Sequence, residues 1–135
     1  MAETSADFYE VYEIICKLRK ECHWDMEQTI PTLKEDLSDE YNELIQAIDN
    51  NDMENMKEEI GDLMWSLLLM TRIAEDEGHF SINEVFDELK AKMIRRHPHV
   101  FGDVKASNLE ETTRFFKEAK QREKEEKLSK KNNHG

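Results

Sequence analysis

Two pairs of carboxylates are spaced to do chemistry together. Glu40 and Glu43 lie three residues apart, and so do Glu59 and Asp62. Residues i and i+3 share one side of a helix, so each pair aims two carboxylates the same way. Around the first pair, Leu33, Leu37, Tyr41, Leu44, Ile45 and Ile48 recur at helical spacing. At about 100° per residue from Leu33, Glu40 falls inside that apolar stripe and Glu43 at its edge. Asp62 is flanked by Ile60, Leu63 and Met64. A carboxylate inside an apolar face costs free energy unless it is paired or holds a metal.

Four acidic oxygen donors with no Lys or Arg between them suit a hard divalent cation, Mg²⁺ with Mn²⁺ as a substitute. The di-iron arrangement built on Glu-x-x-His does not apply, because neither pair carries a His. In a chain with 31 acidic residues such pairs also arise by chance on solvated faces. Placement inside apolar stripes is what favours the metal reading.

Five helices must position these groups. The first is expected from about Ser5 to Lys20, with Phe8, Val11, Tyr12, Ile15 and Leu18 on one face. The second opens at Pro31 or Thr32, since Pro suits the first helical position, and is broken at residues 49–52. The third runs from about Met53 to Glu77 and stops at Gly78. The second connection is short, so these two helices should be antiparallel neighbours that bring the acidic pairs together. Ile60, Leu63, Met64, Trp65, Leu67, Leu68, Leu69, Met70 and Ile73 cover every side of the third helix. Burial on more than one face is then required, which points to a partner subunit. A fourth helix starts at Ser81, where Glu84 completes a capping box, with Ile82, Val85, Phe86, Leu89 and Met93 as its stripe. The segment RRHPHVFGDV ends it. A fifth starts near Asn108 and is expected to fade into a charged, partly disordered tail. The domain reading is therefore a helical domain over residues 1–116, followed by a charged end over 117–135.

Composition supports an all-α fold, which the periodicity reads as a bundle of about five helices. Charged residues make up 37% of the chain, with only 4 Gly and 2 Pro, too few for the turns of a β-sandwich or barrel. The net charge of −12 excludes nucleic-acid binding through a broad basic footprint. No stretch suits a membrane span, since the longest candidate, Ile60 to Met70, contains Asp62 and is about half the needed length. The start MAETSADFYE lacks the pattern of a secretory signal, and Cys16 and Cys22 make no disulfide framework. The expected location is the cytoplasm.

With these residues in place, the chain resembles the all-α nucleoside triphosphate pyrophosphohydrolases, and specifically the MazG family. The resemblance rests on Glu40-x-x-Glu43, fifteen residues, then Glu59-x-x-Asp62, together with the stretches CHWDMEQT (22–29), KEEIGDL (57–63) and RRHPHVFGD (95–103). It covers roughly Phe8 to Lys124. It implies a helical fold with a four-helix metal-binding core completed by dimerisation, in a tight dimer or larger homo-oligomer. It also implies Mg²⁺-dependent cleavage of nucleoside triphosphates between the α and β phosphates. Carried over, Glu40, Glu43, Glu59 and Asp62 are the metal ligands, and Glu43 or Glu59 orients or deprotonates water. Lys92, Arg95 and Arg96 supply positive charge for the polyphosphate. Trp24 is a candidate base-stacking residue, and Phe116 and Lys120 match the family's W-x-x-x-K.

The departures are His23 where the family often has Pro, Asp39 where Glu is frequent, and Phe116 where Trp is usual. They leave the acidic set intact and bear on base and sugar selectivity. Two rival readings share the fold. One is a helical interaction module without catalysis. The other is a narrow hydrolase of modified or deoxynucleotides. His97 and His99 have no standard zinc spacing and are read as turn, packing or phosphate-contacting residues.

Overall fold

The computed structural model describes the backbone of residues 4–134 and the side chains of residues 7–132. Among them are seven helices and no strands: α1 Thr4–Glu21, α2 His23–Glu27, α3 Ile30–Asp49, α4 Met53–Asp76, α5 Ile82–Arg95, α6 Pro98–Phe101 and α7 Leu109–His134. The five long ones are those expected from periodicity. The two short ones sit in the segments expected as turns. No helix is long and apolar enough to cross a membrane.

Local chemistry sets the boundaries. Thr29 caps α3, its hydroxyl accepting from the Thr32 amide while the Thr32 hydroxyl accepts from the Thr29 amide, and Pro31 sits in the first turn. Between α3 and α4, Asn51 adopts a left-handed φ of 51°, and Asp52 then caps α4 by accepting from the Asn55 amide. That connection folds α4 back onto α3, the most extensive helix pairing in the chain. After α4, Gly78 takes φ 78°, a conformation that costs a residue with a Cβ, and the helix ends.

The chain divides into two compact units, residues 1–82 and 83–135, and the division falls at the start of α5. In the first unit, Ile15 of α1, Leu33 of α3 and Leu68, Leu69 and Ile73 of α4 form the buried core. Phe8, Tyr12, Ile30, Met70 and Ile82 pack around it. Burying such side chains is worth roughly 1.5–3 kcal/mol each, which is what fixes α1, α3 and α4 against one another. Only one side of α4 is used. Ile60, Met64, Trp65 and Leu67 are all more than 40% exposed, Trp65 at 51%.

In the second unit α7 continues to His134, past the point where the sequence suggests fading. Ala119 is buried, and Phe115, Phe116 and Glu123 are half-buried, so this helix has a packed side despite its charge. Residues 1–3 and 135 of the expected domains lie outside the described residues.

Candidate active site

The α3–α4 pairing brings Glu40 and Glu43 against Glu59. One carboxylate oxygen from each of the three lies within 4.8 Å of the others. Burial grades across the trio. Glu59 is buried, Glu40 half-buried and Glu43 exposed, as the edge position of Glu43 on the stripe requires. Among the described residues no basic side chain forms an ion pair with the cluster. One oxygen of Glu40 and one of Glu59 are buried with no hydrogen-bond partner, a costly state for a carboxylate.

The electrostatics follow. Burial, together with the facing carboxylates of Glu43 and Glu40, pushes Glu59 up to about 7 from an ordinary 4.5. Glu40 is also raised, chiefly by burial, with the charges of Glu43 and Asp62 adding to it and its contact with Glu59 working the other way. Asp62 does not join the trio. It stands half-buried on α4, acts on Glu40 through its charge, and lines the same cleft.

That cleft has a volume of about 610 Å³, and its lining joins Glu40 and Asp62 to Trp24, Trp65, Leu33 and Leu69. Trp24 is 52% exposed, so its ring is available at the rim rather than sealed in the core. Asp25, beside it, is 4% exposed with one carboxylate oxygen lacking a partner.

Helix α2, which carries both, is tied down by Arg19 of α1. Its guanidinium donates to the backbone carbonyls of Asp25 at 2.5 Å, Met26 at 3.1 Å and Gln28 at 2.8 Å. Asp76 at 3.5 Å orients the guanidinium from the other side, and Arg72 holds Asp76 at 3.0 Å. Arg19, Asp25 and Asp36, which also lines the cleft, are residues that sequence reasoning did not single out. Asp25 was signalled only by its place next to Trp24, and nothing local marks Arg19.

The second unit gathers the basic set. Arg96 lies over the Phe116 ring at 5.2 Å, and the Lys120 ammonium is 5.9 Å from the same ring. Arg95 and Arg96 both bind Glu123 of α7. Lys92 stands one turn before Arg96 on α5, half-buried. His97 Nδ1–H donates to the Met93 carbonyl at 2.5 Å and its ring faces Phe116, while His99 stacks on Phe115. Among the described residues no His or Cys enters a group able to hold a metal; the acidic trio is the group that does.

A family model described as the MazG nucleotide pyrophosphohydrolase domain matches residues 28–101, more than half of the chain and all of α3 and α4. The chain belongs to the MazG family. Among its MazG relatives, the nucleoside triphosphate pyrophosphohydrolase/pyrophosphatase MazG of Thermotoga maritima is 45% identical over 105 residues, 76% of this chain and 41% of that protein. The uncharacterized protein YabN of Bacillus subtilis is 41% identical over 120 residues, 87% of this chain and 24% of that protein. The nucleoside triphosphate pyrophosphohydrolase of Escherichia coli is 34% identical over 106 residues, 78% of this chain and 40% of that protein. The chain thus spans between a quarter and about two fifths of these relatives' lengths. A crystal structure of a mazG-related protein from Thermotoga maritima matches with TM-score 0.73 at 32% identity, covering 84% of this chain and 98% of that one. The all-α MazG fold accounts for the helical reading of the sequence.

Proposed function

We propose that this MazG domain hydrolyses nucleoside triphosphates between the α and β phosphates, releasing a monophosphate and pyrophosphate. The observation that carries the reading is the acidic trio of Glu40, Glu43 and Glu59, with one carboxylate oxygen from each within 4.8 Å of the others. The names of the Thermotoga and Escherichia relatives support the reaction class.

The trio fits Mg²⁺, or Mn²⁺ in its place. The donors are hard oxygens, and the unpartnered buried oxygens of Glu40 and Glu59 lack what a cation would supply. Glu40, Glu43 and Glu59 would hold it, with Asp62 completing the set. A bound divalent ion supplies charge for the phosphate oxygens and acidifies water. The protein's own groups do the rest. Glu43, the exposed member, meets incoming water and orients it or takes its proton. Glu59, buried and raised, is the ligand whose charge the facing carboxylates oppose most. Trp24, at the rim of the cleft, offers a flat face to a base. Lys92, Arg95, Arg96 and Lys120 offer positive charge to polyphosphate oxygens, with Phe116 as the surface on which Arg96 and Lys120 rest.

The working form is a homodimer or higher oligomer. An apolar groove of about 430 Å³ between α1 and α4, lined by Val11, Ile14, Met64, Trp65 and Leu68, continues the uncovered side of α4. A panel of ribo- and deoxynucleoside triphosphates, incubated with the protein and Mg²⁺ or with EDTA, tests the reading. Monophosphate and pyrophosphate are expected with Mg²⁺ alone. Turnover that survives excess EDTA contradicts the metal assignment.

A further inference from the structure

Glu123 sits in a stretch of α7 whose sequence reads as a solvated, charged end. The structure gives it a specific task. Its side chain is only 12% exposed, and its two oxygens are shared by two arginines. Oε1 accepts from Arg95 Nε at 2.8 Å and Nη2 at 2.5 Å, and from Arg96 Nε at 3.3 Å. Oε2 accepts from Arg96 Nη2 at 2.7 Å and Nε at 3.2 Å. Arg96 is thereby fixed from two directions, its edge on Glu123 and its face over Phe116 at 5.2 Å. Both guanidinium groups use the Nε and one Nη, which leaves each with a further Nη outside these contacts. The pairing is strong enough to hold the Glu123 carboxyl at about 2, with Arg96 the larger cause and Arg95 the next.

An arginine on a free stem loses rotamer entropy when it grips a phosphate, and a guanidinium held in place beforehand does not. One carboxylate shared by two guanidinium groups leaves a net positive pair, with Lys120 close to the same ring.

We propose that Glu123 is the positioning residue of the polyphosphate-binding arginines, fixing Arg95 and Arg96 so that their outer N–H groups are presented to the phosphate chain. This rests on the reading that these arginines bind polyphosphate, and the test separates the two.

Steady-state kinetics with a nucleoside triphosphate and Mg²⁺ are compared for wild type, Glu123→Gln, Glu123→Asp and Arg96→Ala. Positioning predicts that Glu123→Gln raises KM by about tenfold with a much smaller change in kcat, since ground-state grip is what is lost. Glu123→Asp, which keeps the charge, should recover part of that grip. An unchanged KM in Glu123→Gln while Arg96→Ala raises it overturns the role of Glu123 and leaves the arginines in place. A lowered KM overturns it too, because the carboxylate then only masks positive charge. If Arg96→Ala also leaves KM unchanged, the polyphosphate reading fails, and the proposal with it. A measurement on the unmutated protein avoids any folding defect. The Arg95 and Arg96 Nε–H resonances should be slow to exchange, and should shift yet stay protected on titration with inorganic pyrophosphate. Fast exchange before the addition, or no shift after it, overturns the proposal.

Discussion

Glu59 is the residue whose perturbation says most about the acidic trio. It is buried, and burial with the opposed carboxylates of Glu43 and Glu40 lifts it from 4.5 to about 7. Without metal, the folded chain therefore keeps a proton on Glu59 between pH 4.5 and about 7, where the unfolded chain has released it. The folded state binds more protons there, so stability falls as pH rises through that window and levels off above it. A cation must displace the same proton. One proton per ion lowers apparent metal affinity about tenfold for each unit below pH 7, a dependence that flattens above it.

Glu59→Gln keeps the size and removes the ionisation. Its metal-free stability should lose that decline and exceed wild type above pH 7. Stabilisation by Mg²⁺ should shrink, and hydrolysis should fall by orders of magnitude. Thermal unfolding followed by circular dichroism from about pH 5 to 9, with and without Mg²⁺, reads the first two, and product formation reads the third. A Glu59→Gln protein with the wild-type pH profile, Mg²⁺ response and turnover refutes the reasoning. So does one destabilised at every pH, since that is how a structural ion pair behaves.

Other outcomes follow from the packing. Leu69 is 1% exposed in the core beside α3, so Leu69→Ala should cost about 2–5 kcal/mol in denaturant unfolding; a loss under about 1 kcal/mol would mean the site is not packed as described. Arg19→Met removes the donor to three carbonyls of α2 and its C-cap, Asp25, Met26 and Gln28. Limited proteolysis should then cut residues 22–29 roughly tenfold faster, and equal cleavage rates contradict the anchoring role. Sedimentation should give a mass at least twice 16.0 kDa at micromolar protein, with Trp65→Glu shifting it toward the monomer; a wild-type monomer contradicts the proposed use of the apolar side of α4.

Much of this was legible in the chain. Period-3.6 stripes around Ile15, Leu33 and Ile73 mark helices that the structure builds, because those residues are the core that makes the helices stable. Glu40 inside its stripe and Glu43 at the edge foretell their graded burial. Chemistry that depends on tertiary approach was not legible. Arg19 reaches carbonyls six to nine residues away across a turn, and Glu123 meets arginines 27 and 28 residues back; neither distance has a local signature. The tail reads as fraying and partly disordered because apolar residues are sparse there. Its helix is held instead by the Glu123–arginine pairs, the phenylalanines and buried Ala119. Asp62 shares its helix side with Glu59, yet it stands outside the trio formed by Glu40, Glu43 and Glu59. An i+3 step places a residue about one turn along as well as on the same side.

The bond that breaks is the most direct test of the assigned reaction. Hydrolysis of a nucleoside triphosphate in water enriched in heavy oxygen, with Mg²⁺ present, leaves the label on whichever phosphorus was attacked. Attack at the α-phosphorus predicts one heavy oxygen in the nucleoside monophosphate and none in the pyrophosphate. Label in the pyrophosphate, or release of orthophosphate with a nucleoside diphosphate, contradicts the assigned reaction.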